Sequence, residues 1–352
     1  MSSEKDKSPH IEAIESSGAP TSEKFCHIDE KKLVRKIDLH LLPLFIVLYL
    51  LSFLDRGNIG NAKIEGLDKD LNLTGNQYNL CLMVFFLFYA AMEVPSNMIL
   101  KRSRPNVYIP LTVVLFAVVM TCMGTVQNFG QLFATRALLG VFESALFPGI
   151  SYMLSRYYKK NELLVRQSIF FSAASMAGAF SGLLAAAISK MHGVGGYEGW
   201  RWIFILEGLV TFIAGVVAFY LFPLFPASAS FLTEEERQFV VERVQCSSNL
   251  DGWAYRRGGD SEKVVLGEDN RNDKSQILAV LKDWQCWFQM LSYVGILLPL
   301  YAISLFTPTI IKTLGYSSTR TQLMSVPIYI VAAVCAILQG LHPTTLGCGL
   351  RF

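Results

Sequence analysis

The feature that most constrains this chain is the recurrence of long apolar stretches, most of them close to the roughly 20 residues a helix needs to cross the hydrocarbon core of a bilayer. Eight are present. They run roughly from Leu39 to Phe53, Tyr78 to Leu100, Val107 to Val126, Gly130 to Tyr152, Gln167 to Ile188, Trp202 to Phe222, Cys286 to Ile310 and Leu323 to Leu341. Backbone N–H and C=O groups in lipid must be satisfied within the segment, so the expectation is an all-α polytopic membrane protein embedded in a lipid bilayer. Composition agrees: 52% of the residues are hydrophobic and 17% charged, with mean hydropathy +0.38, against roughly 25% charged residues in an average soluble domain.

The basic residues report topology. Lys31, Lys32, Arg35 and Lys36 precede the first stretch; Lys101, Arg102 and Arg104 follow the second; Arg156, Lys159, Lys160 and Arg166 join the fourth to the fifth. By the positive-inside rule these loops and the amino terminus are cytoplasmic. The sequon Asn72-Leu73-Thr74 then falls in the first outward loop, which makes Asn72 a candidate glycosylation site. A net charge of +3, in short clusters between apolar runs, gives no reason to expect nucleic acid as a partner. The seven cysteines include no Cys-x-x-Cys pair and lie near no His cluster, so neither a disulfide framework nor a metal site is expected.

Five regions follow. Residues 1–32, rich in Ser, Lys and Glu and without an apolar stretch that could serve as a signal peptide, read as a disordered cytoplasmic tail. Residues 33–224 hold six spans, and 225–282 form a cytoplasmic central loop. In that loop Thr233-Glu234-Glu235-Glu236 has the pattern of a capping box opening a short amphipathic helix to about Val244, followed by a Gly-rich, charged and mobile segment from Asp251 to Lys274. Residues 283–341 supply two more spans, and 342–352 have neither the charge nor the apolar length to extend the pattern.

Six spans, a long cytoplasmic loop and further spans is the layout of transporters built from two six-helix halves. Particular residues sharpen this: Leu54-Asp55-Arg56-Gly57-Asn58-Ile59-Gly60-Asn61-Ala62, Pro95-Ser96-Asn97 with Lys101-Arg102, Arg136-Ala137-Leu138-Leu139-Gly140 with Glu143, Gly199-Trp200-Arg201-Trp202 with Glu207-Gly208, and Phe231-Leu232-Thr233-Glu234-Glu235-Glu236-Arg237. In these the chain resembles the anion:cation symporter branch of the major facilitator transporters, and within it fungal allantoate, nicotinate and vitamin permeases. One departure is that the Gly-x-x-x-Asp-Arg signature widespread after the second helix is replaced by Lys101-Arg102-Ser103-Arg104-Pro105. The resemblance implies a complete amino-terminal six-helix half with two helices of the second half. It also implies a monomer at the plasma membrane that imports a small organic carboxylate with protons and needs no cofactor beyond the coupling ion. Because four further helices are expected in that fold, a truncated and transport-inactive product stands as an alternative, and a non-transporting nutrient sensor as another. No nucleophile with a base and no phosphate-binding Gly loop suggests an enzyme.

A charge at the centre of a spanning helix costs about 2.5 to 3.5 kcal/mol on insertion scales, so each one is a functional candidate. Arg136 and Glu143 are seven positions apart in the fourth stretch and share a helical face, with Gly140 between their turns. Arg136 can grip a carboxylate bidentately, and Glu143 can load a proton; the alternative is that the two simply pair. Asp55 and Arg56 stand at the outer end of the first stretch, where they are either interfacial charges or site residues, with the amides of Asn58 and Asn61 nearby. The resemblance implies protons on Asp55 and Glu143 and the substrate anion on Arg56 and Arg136. Tyr89, Glu93 and Asn97 recur every four residues on one face of the second stretch, so Tyr89 and Glu93 are possible site residues, Glu93 either protonatable or stabilising a helix end beside Pro95. Gly178 and Gly182 read as a helix-packing pair. Phe85, Phe86, Phe88, Phe170 and Phe171 are expected mostly in core or lipid contact.

Overall fold

A computed structural model describes residues 28–250 and 282–341. Most of the expected amino-terminal tail, the Asp251–Lys274 segment and residues 342–352 lie outside the described residues. The first helix, α1 (Glu30–Ile64), starts on an Asp29 cap whose carboxylate accepts from the Lys31 and Lys32 amides at 3.1 and 3.3 Å. It is 35 residues long, or about 52 Å at 1.5 Å per residue. It therefore overruns the apolar stretch at both ends. Ile37, Leu41, Phe45, Leu48 and Ile59 are wholly buried along one side, which makes α1 the central post of the bundle. The expectation that Asp55 and Arg56 close this helix is corrected: the helix continues to Ile64 because its polar residues face the protein interior, and Gly66 in the left-handed region (φ 102°) follows its end.

Around α1 stand α2 (Gln77–Arg102), α3 (Pro105–Met123), α4, α5 (Lys160–Ile188) and α6 (Gly199–Leu221). The fourth is not one continuous rod as expected. It is two segments, Phe129–Glu143 and Leu146–Tyr157, separated by a turn at Ser144 and Ala145 that directly follows the buried Glu143. Pro95 lies inside α2, which continues to Arg102, so Glu93 does not mark a helix end. After α6 come the linker helix α7 (Glu234–Leu250), a turn and a half longer than the expected stop at Val244, and then α8 (Trp284–Thr313) and α9 (Ser318–Leu341). Among the described residues seven helices are long and apolar enough to cross a membrane, with a shorter apolar run, Arg320–Cys335, in α9. The eighth expected span, Leu323 to Leu341, lies within the helix α9.

Close packing comes from small residues. Against α2, a Cβ on Gly140 would sit 2.4 Å from the Phe85 carbonyl oxygen. The Gly178 and Gly182 pair lets α9 lie on α5: added Cβ atoms would meet the Tyr329 ring at 2.5 Å and the Gln322 carbonyl at 2.8 Å. α6 packs along α3, and α8 against α1.

One end of the bundle gathers the basic loops. Arg243 of α7, almost fully buried, donates to Glu30 (3.2 Å), Glu162 (3.1 Å) and the Tyr157 carbonyl (2.9 Å). Lys36 pairs with Glu236 at 2.7 Å, Lys159 with Glu30 at 2.6 Å and Arg166 with Asp38 at 2.8 Å. The Thr233 capping box forms, with reciprocal bonds of 2.9 and 3.3 Å to Glu236. At the opposite end Arg201 donates to Asp70 (2.9 Å) and the Val126 carbonyl (2.7 Å), and the Trp200 indole to Asp70 (3.2 Å). The Gly-Trp-Arg-Trp motif is therefore a staple between loops. Asn72 is exposed beside that end, in the left-handed region (φ 49°) that asparagine tolerates.

Candidate functional site

Among the described residues, five charged side chains are buried in the bundle interior: Asp55 and Arg56 on α1, Arg136 and Glu143 on α4, and Glu207 on α6. Burial of so many charges requires partners or protons. Arg56 donates from Nε to Glu143 Oε1 at 2.6 Å and from Nη1 to the Tyr301 hydroxyl of α8 at 2.8 Å. Glu143 Oε1 also accepts from the Ser52 hydroxyl, while its Oε2 has no partner. The rings of Tyr89 and Phe53 lie 4.7 and 4.9 Å from the Arg56 guanidinium carbon, a cation–π arrangement that stabilises the charge out of water.

A cavity of about 700 Å³ opens between α1, α2, α5, α8 and α9. Arg56, Asn61, Tyr89 and Glu93 line it, along with aromatic side chains that include Tyr49, Phe171 and Tyr301. Its size and lining, mostly apolar with a few convergent polar groups, are those of a small-molecule site. Asp55, Asn58, Arg136 and Glu143 do not line it; they form the layer behind Arg56. Asn61 donates to the Ser181 hydroxyl at 2.6 Å, Ser181 donates to Asn58 Oδ1 at 3.3 Å, and Asn58 donates in turn to Glu207 Oε2.

The alternative in which Arg136 and Glu143 simply pair is corrected. Arg136 and Glu143 share a buried face, but Glu143 bonds Arg56 of α1, so the intrahelical pair does not form. Arg136 is left with Nε and Nη2 unpartnered. It reaches a separate chamber of about 20 Å³, the volume of one water, shared with Arg56, Phe85 and Tyr301. Of the phenylalanines, Phe85 and Phe170 are core, Phe88 is exposed, Phe86 packs on Tyr301 and Phe171 faces the cavity. Glu207, Ser52, Ser181, Thr211 and Tyr301 were not among the candidates. The signal for Glu207 is plain in retrospect, since it is an acid within an apolar stretch, whereas the hydroxyls carry no pattern of their own.

Residues 45–344 match the Major Facilitator Superfamily domain. The chain belongs to the Major Facilitator Superfamily. Similar proteins include an uncharacterized transporter of Schizosaccharomyces pombe, 33% identical over 335 residues that cover 94% of this chain and 64% of that protein. Another is a high-affinity nicotinic acid transporter of Saccharomyces cerevisiae, 33% identical over 317 residues, 88% of this chain and 56% of that protein. The chain spans about three fifths of the length of the curated relatives it matches. Among solved structures, the fold resembles a bacterial homolog of the human lysosomal transporter Spinster in an inward-facing, unoccupied conformation. That match has a TM-score of 0.64 at 17% identity and covers 87% of this chain and 62% of that one. A proton:xylose symporter matches with a TM-score of 0.58 at 15% identity, covering 87% and 70%. The chain is thus a multi-pass membrane protein of a transporter family.

Proposed function

We propose that this major facilitator chain serves proton-coupled symport of a small organic carboxylate, of the allantoate, nicotinate or pantothenate type, by alternating access. The observation that carries the reading is the position of Arg56: its guanidinium stands on the cavity wall, and the carboxylate that holds it, Glu143, lies behind that wall. While Glu143 is ionised it competes with any incoming anion for Arg56. A proton on Glu143 removes the competitor, and the freed guanidinium can hold a substrate carboxylate by two parallel bonds. Proton and anion then each bind better in the presence of the other, which is the thermodynamic content of symport.

Asp55 is a second protonatable acid in this scheme, Arg136 a reserve cation behind Arg56, Asn61 and Tyr89 direct contacts, Asn58 a support for Asn61 through Ser181, and Glu93 an acid at the cavity rim. Rocking of the α1–α6 bundle against α8, α9 and their successors in longer relatives carries the site across the membrane. The nicotinic acid transporter of Saccharomyces cerevisiae, at 33% identity, lends support to a carboxylate substrate. On the same reading the chain is a monomer of the plasma membrane with its amino terminus inside, Asn72 glycosylated outside, and the proton as coupling ion with no other cofactor.

Uptake of radiolabelled nicotinate by yeast cells that lack their own nicotinate transport and express this chain is the test. Faster uptake at pH 5 than at pH 7.5, abolished by a protonophore, is expected. Uptake indifferent to the protonophore would overturn the coupling.

A further inference from the structure

Two interior carboxyls face each other across α1 and α6 with no cation bonded to either. Asp55 of α1 accepts from the Thr211 hydroxyl of α6 at 3.3 Å. Asn58, one turn further along α1, donates to Glu207, one turn earlier on α6. The two bonds cross the same helix interface one turn apart, so Asp55 and Glu207 occupy successive turns of it, near enough for the Glu207 charge to act on Asp55. Asp55 is 1% exposed and Glu207 5%. Each keeps one oxygen, Asp55 Oδ1 and Glu207 Oε1, without any partner. A buried carboxylate with a single neutral donor has lost most of its hydration without replacement, and two ionised neighbours add repulsion.

The charges around them leave one unit uncompensated. Of the five buried charges, Glu143 and Arg56 neutralise each other through their direct bond. Arg136 acts on Asp55 and Glu143 only through space and bonds to neither Asp55 nor Glu207, so it balances one carboxylate of the facing pair and not both. Among the described residues no other charge meets the pair: Lys190, in the short helical turn Ser189–Met191 that packs on α6, is exposed. α3, packed on α6, contains no Asp, Glu, Lys or Arg, and α5 contains none from Gln167 to Ile188, where Ser181 is its contact with the pair's hydrogen-bond chain.

We propose that Asp55 and Glu207 share a single proton, which makes Glu207 a third proton-handling carboxyl of the transport cycle beside Asp55 and Glu143. The inference deepens the symport reading and rests on it for its role in transport. The proton enters from the outer aqueous phase as one carboxylate becomes a carboxylic acid, and it leaves to the inner phase by the reverse step. The Asn61–Ser181–Asn58 chain ends on Glu207, and Asn61 and Ser181 line the cavity. A solute that takes a hydrogen bond from Ser181 removes the donor that Asn58 Oδ1 receives, and so touches the side chain that donates to Glu207.

The test is infrared absorption by the full chain in lipid nanodiscs at pH 7.5, reading the C=O stretch of protonated carboxyls. Glu207→Gln and Asp55→Asn should each reduce the band by at least half, because the surviving acid ionises once its neighbour is neutral. A band at wild-type strength in Glu207→Gln or in Asp55→Asn would overturn the shared proton. Glutamine keeps an oxygen for Asn58, and circular dichroism confirms the fold. Should the variant not fold, Thr211→Val retains both carboxyls and removes the donor to Asp55, so the band should persist to higher pH than in wild type; an unchanged pH range would overturn the pair. Nicotinate uptake without pH dependence, with the band pattern intact, would sink the symport reading and leave the shared proton standing.

Discussion

Replacing Glu143 by glutamine tests the competition at Arg56 directly. The Arg56–Glu143 bond is 2.6 Å long, with the two side chains 10% and 0% exposed, so solvent and salt screen it little. A hydrogen bond to a charged group contributes roughly 1.5 to 3 kcal/mol net, and a neutral acceptor gives about half as much. Glutamine at this position therefore lowers the cost of displacing the acceptor by about 1 kcal/mol, or roughly fivefold to tenfold in affinity at about 1.4 kcal/mol per tenfold. Nicotinate binding to the purified chain, measured by equilibrium dialysis at pH 5.5 and 7.5, should tighten by that factor in Glu143→Gln at pH 7.5 and lose its pH dependence. Glu143→Ala differs, because it leaves the Arg56 charge with neutral partners, the Tyr301 hydroxyl and the Tyr89 and Phe53 rings, and should destabilise the fold by about 3 to 5 kcal/mol. Weaker binding in Glu143→Gln at pH 7.5, or a preserved pH dependence, would refute the competition.

Gly140→Val places its Cβ 2.4 Å from a backbone oxygen of α2, which cannot rotate away; a loss of at least about 1 to 3 kcal/mol is expected, read as a lower melting temperature in detergent. Burial pushes the Glu236 carboxyl up, but the Lys36 ammonium and the Thr233 amide outweigh it and hold the group below its ordinary value of 4.5. A lowered folded value means the stabilisation is present above pH 4.5 and lost as pH falls through the folded value, so the protection factors of α7 amides, corrected for the intrinsic pH dependence of exchange, should fall in acid below about pH 4.5 and stay flat from pH 6 to 8. Asn72→Gln should abolish an endoglycosidase-sensitive mobility shift of the chain expressed in yeast; no shift in wild type would argue against an outward first loop.

The membrane class and the positions of the spans were legible because apolar length is a direct physical demand of lipid. Helix ends were not. The α1 pattern breaks at Asp55 in hydropathy, yet the helix runs on because Asp55, Asn58 and Asn61 turn towards α5 and α6, and only tertiary packing decides which way a polar residue faces. Arg56, Arg136 and Glu143 could be picked out by the cost of burying a charge, but their pairing could not, since periodicity puts Arg136 beside Glu143 while the fold brings Arg56 from another helix. Glu207 carries the same signal as Glu143, an acid within an apolar stretch, but its donor Asn58 comes from another helix that periodicity does not place beside it.

The ion pair on the cavity wall has an electrical consequence. In the empty site Arg56 is neutralised by Glu143; in the proposed loaded site a proton neutralises Glu143 and the substrate anion neutralises Arg56. Both forms carry the same interior charge, so neither is driven or held back by the transmembrane potential, which otherwise costs about 2.3 kcal/mol per elementary charge per 100 mV. A monoanion taken up with one proton through this pair alone moves no net charge, so any inward current that follows an imposed potassium diffusion potential counts the further proton carried on Asp55 and Glu207.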